Sequence, residues 1–150
     1  MKENGTYENT TQLVNNTETT TVTYNAAKNF KAVILNADGQ DFVRCILDNS
    51  SLTFFKTNIS KITGGGAAAA GLRRMITWNH INEMVRDGLV KANDLKTMVI
   101  NNLGTETDDS IYDFELTFFS QALGYMANST TARQEAYDFV LNQLTTITER

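Results

Sequence analysis

The stretch that decides the fold is KITGGGAAAAGLRRMITWNHINEMVRDGL, which spans Lys61–Leu89. It contains the single His, the single Trp, a Gly-rich turn and a pair of arginines. The residues before it are rich in short β-type runs, and those after it repeat apolar side chains at helical spacing. The sequence therefore predicts an α+β fold that changes from strands to helices within this stretch.

The part before the stretch predicts an N-terminal antiparallel β-meander of about four strands over residues 19–62. Its clearest signal is a pair of β-rich runs, with apolar residues at Val33, Ile34 and Leu35 and then at Val43, Cys45, Ile46 and Leu47. These runs flank Asp38-Gly39, a residue pair that suits a two-residue type I′ hairpin. Because the runs are apolar at consecutive positions, we expect these two strands to be covered on both faces.

The other two strands rest on weaker signals. Residues 19–25 alternate Thr with apolar side chains, which is typical of a strand with one polar face. A turn at residues 49–51 leads into a fourth strand that ends near residue 62. Residues 1–18 form a polar N-terminal arm, which by itself would be flexible.

Beyond the strands, residues 63–71 are a Gly/Ala-rich connector. Residues 72–150 are a helical part of three to four helices that forms one compact domain with residues 19–62. The first helix begins among the alanines and ends at Gly88. We expect Asn93 to cap the second helix and Gly104 to follow its last residue.

The third predicted helix is apolar most of the way round, so it is either the central helix or an oligomer contact. Acidic residues near Thr107–Asp109 favour its start, because negative charge stabilises the N-terminal end of a helix. A fourth helix follows, capped within Ser129-Thr130-Thr131, with Thr131 and Gln134 at capping-box spacing. The aromatic side chains proposed as an interface in the third helix are Tyr112, Phe118, Phe119 and Tyr125.

Composition and charge narrow the function classes. The net charge is −4, with five bases and three acids in residues 67–104 but eight acids and two bases in residues 105–150. Nucleic-acid binding is disfavoured, because phosphate contacts need a concentrated basic face. No signal segment precedes the domain and no apolar run is long enough to span a membrane, so we expect synthesis in the cytosol and no membrane partner.

The Gly-rich turn is the candidate ligand site. A Gly-rich loop before a helix presents backbone N–H groups and a positive dipole end, and nearby arginines add charge. The spacing matches neither the Walker pattern nor the dinucleotide pattern. A strand-to-helix hinge is the simpler interpretation of the same residues. The candidate ligand-binding residues are Gly64, Gly65, Gly66, Arg73 and Arg74.

No other cluster predicts catalysis, a metal or a cofactor. His80 shares a helix face with Glu83 and Asp87, but no Ser or Cys nucleophile is visibly paired with it. Cys45 lies in an apolar run and is expected to be a buried, inert thiol. The acidic residues from Asp108 to Glu115 lack the spacing of an EF-hand, and helix N-terminal stabilisation explains them better.

We therefore expect a non-enzymatic structural protein that works as a homo-oligomer, in contact with copies of itself and with other proteins of an assembly. A phage or virus particle component, such as a neck, tail or capsid protein, is one such role, and it would place the protein in a virus particle. The absence of Pro leaves strand edges open to pairing between chains. The alternative is a small acidic binding protein that sequesters a protein partner or a nucleotide-like ligand, as a phage anti-defence inhibitor does.

Overall fold

A computed structural model describes residues 1–2, 8, 21, 29–126 and 128–148 of the chain. Within these ranges it contains helices and no β-strand. No described helix combines the length and the apolar character that crossing a membrane requires. The helices are α1 (Asn49–Phe55), α2 (Ala67–Arg86), α3 (Ala92–Leu103), α4 (Asp109–Tyr125) and α5 (Thr130–Thr148).

The predicted β-meander is wrong for the part of the chain that is described. Residues 29–48 form neither strand nor helix. A turn does form close to the predicted hairpin, where Asn36 O accepts a hydrogen bond from Gly39 N at 2.9 Å. The chain after the turn packs on a helix instead of pairing with a neighbouring strand. Apolar β-branched runs favour any half-buried extended surface, so they do not by themselves predict pairing. The predicted strand at residues 19–25 lies outside the described residues, apart from Thr21.

Helix α1 replaces the last predicted strand. Asp48 caps it, because its side chain accepts hydrogen bonds from Ser50 N and Ser51 N, both at 2.9 Å. The sequence predicts a turn at Asn49-Ser50-Ser51, yet these polar residues begin a helix when a side chain caps them and the next residues continue it. The buried side chains Ser51 and Phe55 then fix the short helix against the core.

Helix α2 begins and ends where the sequence predicts. It starts at Ala67, so the last five residues of the predicted connector belong to it. Gly88 follows its end with φ of 73°, a conformation that suits glycine. Gly71 lies against α4, where an added Cβ would come within 3.1 Å of Asp108 Oδ2.

The remaining helix ends confirm some predicted caps and correct others. Asp108, one of the acidic residues predicted to favour the start of α4, caps it by accepting a hydrogen bond from Ser110 N. Gly104 directly follows α3, but with φ of −65° it does not adopt the left-handed conformation that a helix-ending glycine favours. Asn93 lies inside α3 and does not cap it. Ser129 caps α5 as predicted, because its Oγ accepts a hydrogen bond from Ala132 N. The predicted capping box of Thr131 and Gln134 is wrong, since the Gln134 side chain donates to Asp138.

Helix α4 is the centre of the fold and packs against α2, α3 and α5. The prediction of a central helix is thus confirmed, while an oligomer contact through the same helix stays a prediction. The core around it includes Phe55, Ile59, Trp78, Ile81, Leu95, Met98, Val99, Leu103, Ile111, Phe118 and Ala122.

Two buried contacts join the irregular parts of the chain to this core. Asn102 of α3 is fully buried; its Oδ1 accepts from Ile59 N and Ser60 N, and its Nδ2 donates to Lys56 O and Met98 O. The Met1 amine donates to Ala32 O at 2.6 Å. The rest of the predicted polar arm lies outside the described residues, except for Lys2 and Glu8, which form an ion pair.

Candidate functional site

Residues 33–47, which we call the anchored segment, lie along α2 without regular secondary structure. Side chains of α2 hold the segment at positions spread along the helix. Its contacts with α2 are Leu35 O with His80 Nε2 at 3.0 Å, Asp38 with Arg73 at 3.2 Å, Leu47 N with Met84 S at 3.4 Å, and an ion pair between Arg44 and Asp87. The segment is therefore tied to the helical body at both of its ends and in between.

The anchored segment presents apolar side chains to solvent. Phe42 is fully exposed, and Val43 and Ile46 are 57% and 55% exposed. Cys45 and Leu47 are buried, so the side chains from Cys45 onwards alternate between the body and the solvent. Within the described residues, the backbone N–H and C=O groups of residues 42–46 make no hydrogen bond to protein. Exposed apolar side chains and backbone groups that have no partner among the described residues thus occur in the same short segment.

The Cys45 thiol lies on the inner side of this segment. Burial, with a smaller contribution from the negative charge of Asp41, raises the pKa of the thiol. A raised pKa lowers the thiolate fraction, and the thiolate is the reactive form. The buried position therefore agrees with the expectation of an inert thiol.

The two arginines of the predicted ligand site are both engaged inside the chain. Arg74 donates to both carboxylate oxygens of Glu106, at 2.8 and 2.9 Å, and Nη1 donates to Ile62 O. Arg73 donates to Gly64 O at 3.3 Å and pairs with Asp38. Both arginine side chains are less than a tenth exposed. These guanidinium groups hold the Gly-rich turn and the connector between α3 and α4 to α2.

The surroundings of the Gly-rich turn do not favour an anion. Gly64, Gly65 and Gly66 all have positive φ and lead into the N-terminus of α2. A shallow depression at that N-terminus is lined by Ala67, Arg74, Thr107, Asp108, Asp109 and Ser110. Two carboxylates in the lining would repel a phosphate group. A nucleotide-like ligand at these residues stays a prediction from sequence.

The predicted aromatic interface is divided between core and surface. Phe118 and Phe119 are each 3% exposed, and Tyr112 is half-buried. Phe119 contacts Phe139 of α5, with ring centroids 5.2 Å apart. Tyr125, at the end of α4, is 62% exposed. The four side chains do not form one surface, and only Tyr125 is free to contact another molecule with most of its area.

A buried carboxyl group was missed at the sequence level. Glu115 of α4 is fully buried, and its Oε1 accepts a hydrogen bond from Trp78 Nε1 of α2 at 2.7 Å. Burial, with a smaller contribution from the negative charge of Glu106, raises the pKa of Glu115 to about 8, although the hydrogen bond from Trp78 and the positive charge of Arg74 act in the opposite direction. The signal was present in the sequence, since Glu115 lies four residues after Ile111 and three before Phe118 on the apolar face.

No described group resembles a catalytic centre. His80 is buried and bonded to the anchored segment, while Glu83 pairs with Arg86 and Asp87 pairs with Arg44. Within the described ranges, no three His, Cys, Asp or Glu side chains are placed to hold a metal ion. Comparisons with protein-family models, with curated proteins and with solved structures found no match to this chain.

Proposed function

We propose that this chain is a non-enzymatic structural protein that self-associates through the anchored segment. The observation that carries the proposal is the exposure of Phe42, Val43 and Ile46 on a segment whose position is fixed by contacts with α2. Clustered apolar side chains on a fixed surface are typical of protein contact sites, because burying them releases ordered water. The cluster would therefore gain free energy by meeting a second apolar surface.

A second copy of the chain suits this surface. In an antiparallel pair with a twofold axis at Val43, each Val43 lies beside its copy, and Phe42 of one chain lies opposite Arg44 of the other. Valine pairs and arginine–aromatic contacts are both favourable across strands. The free backbone groups of residues 42–46 would supply the hydrogen bonds of such a pair.

The wider setting of this assembly stays a prediction from sequence. A role in a phage or virus particle, and contacts with other proteins of that particle, rest only on composition and on the expected arm. The proposal does not depend on them, because self-association is measurable for the isolated protein.

Light scattering at several protein concentrations tests the proposal. We expect the unmodified chain to form oligomers and Val43→Glu to shift it to monomer, because a charge would be buried in the contact. Leu141→Glu on α5 is the matched control, since Leu141 is 61% exposed and lies far from the segment in sequence. A monomer at every concentration would refute self-association. Loss of assembly in Leu141→Glu alone would move the interface to α5.

A further inference from the structure

The contact between α2 and α4 contains a buried polar cluster that the proposed function does not use. From α2 come Arg74 and Trp78, from α4 comes Glu115, and from the connector between α3 and α4 comes Glu106. Arg74, Glu106 and Glu115 are each less than a tenth exposed, and Trp78 is fully buried. The cluster therefore joins three parts of the chain, with Glu115 and Trp78 at its fully buried end and Arg74 reaching the depression at the N-terminus of α2.

The charges of the cluster balance in only one protonation state. Arg74 and Glu106 form a two-point ion pair, which uses the single guanidinium of the cluster. If Glu115 is neutral, the cluster has no net charge. If Glu115 loses its proton, one cation faces two buried carboxylates, and the excess negative charge is costly in a medium of low dielectric constant.

The hydrogen bonds of Glu115 are also incomplete. Trp78 donates to Oε1, but Oε2 is buried and has no partner among the described residues. A neutral carboxyl group tolerates one unpaired oxygen better than a carboxylate does, because the charge of a carboxylate needs several donors. Two more carboxylates, Asp108 and Asp109 at the start of α4, line the same depression as Arg74, and Asp108 also lies against Gly71. Lys96, the buried cation of α3, is paired with Glu135 of α5.

We propose that Glu115 is a proton-controlled latch between α2 and α4, closed while its carboxyl group is protonated and loosened when the proton leaves. In the closed state the neutral acid accepts from Trp78 beside the Arg74–Glu106 pair. In the loosened state the second carboxylate competes for Arg74 and draws water into the contact. The two helices then separate at the level of Trp78.

The sign of the pH dependence follows from the protonation of the two states. The pKa of Glu115 is raised from 4.5 to about 8 in the folded chain. Between these values the folded chain binds the proton more tightly than the unfolded chain, so the free energy of unfolding falls as the pH rises. The decline ends once the pH passes the folded pKa.

The single Trp of the chain makes the latch directly observable. We expect the Trp78 fluorescence of the unmodified protein to shift to longer wavelengths in a transition centred near the folded pKa of about 8. In Glu115→Gln the transition should vanish, and the melting temperature should fall less as the pH rises. Asp113→Asn, an exposed change on the same helix, should leave the transition unchanged.

Two results would overturn the latch. One is an emission spectrum that stays constant through this pH range in the unmodified protein. The other is a transition that persists in Glu115→Gln. If Glu115→Gln does not fold, a carboxyl carbon NMR titration of the unmodified chain decides the question, because a Glu115 resonance that titrates near its ordinary value excludes the mechanism.

Discussion

The anchored segment and helix α4 are both rich in apolar residues, yet they use them in opposite ways. On α4, Ile111, Phe118 and Phe119 are buried, because three other helices surround this helix. In the anchored segment, Phe42 and Val43 face solvent, because α2 covers the segment on one side. Burial thus depends on how many elements surround a residue, and the apolar character of its own sequence does not determine that number.

The largest expected effect is the difference in unfolding free energy between Phe118→Ala in α4 and Phe42→Ala in the anchored segment. Phe118→Ala should lower the free energy of unfolding by about 3–5 kcal/mol, because it removes a buried ring and leaves a cavity. Phe42→Ala should change it by less than about 0.5 kcal/mol, since an exposed ring loses little on truncation. Urea denaturation of both variants, at a concentration where the chain is monomeric, measures the difference. Equal losses would contradict the contrast between the regions.

A smaller loss of unfolding free energy is expected at Asn102, which joins the irregular stretch at Ile59 and Ser60 to α3. Asn102→Ala removes hydrogen bonds to Ile59 N and Ser60 N and to two carbonyl oxygens, so we expect a loss of about 2–3 kcal/mol. Asn101→Ala is the control, because Asn101 is exposed and makes a single weak bond to Lys56 O. Thermal unfolding compares the two. A similar melting temperature for both variants would show that the irregular stretch does not depend on this side chain.

The smallest loss of unfolding free energy is expected at Asp48, which caps α1 at the end of the irregular residues. Asp48→Ala removes the cap of α1 and should cost about 1 kcal/mol. Hydrogen bonds from Ser51 lower the pKa of Asp48, so this contribution should disappear in acid as the carboxylate gains a proton. Asp41→Ala, an exposed acid without a capping role, is the control. The free energy of unfolding of both variants is measured at neutral and at acidic pH. The same change with pH in the two variants would contradict the prediction.

The correct predictions came from signals that act within a few residues. The start of α2 in the alanines, its end before Gly88 and the start of α4 at the acidic residues near Asp109 follow from propensity and local electrostatics. The strands failed because pairing depends on distant partners, which a single sequence does not specify. Local reasoning also failed at Asp48, where the same motif is compatible with a turn and with a helix.

The candidate site was predicted only in part, for the same reason. Arg73 and Arg74 were predicted to bind a ligand, but the sequence did not indicate their carboxylate partners, which lie 35 and 32 residues away along the chain. Glu115 was grouped with acids at a helix start, although its position on the apolar face placed it beside Trp78. The apolar side chains of the anchored segment are exposed because, among the described helices, α2 covers the segment on one side. No pattern within the segment itself indicates how many other elements surround it.

Gly71 sets a limit on how this sequence can vary. A glycine inside a helix costs about 1 kcal/mol relative to alanine, so retaining it needs a reason. The reason is proximity, since even a methyl group would press on Asp108, whose other oxygen caps α4. A substitution at Gly71 therefore acts on two helices at once, improving the propensity of α2 while pushing away the residue that starts α4. We therefore expect a replacement of Gly71 to be accompanied by a change at Asp108 that makes room for the added side chain.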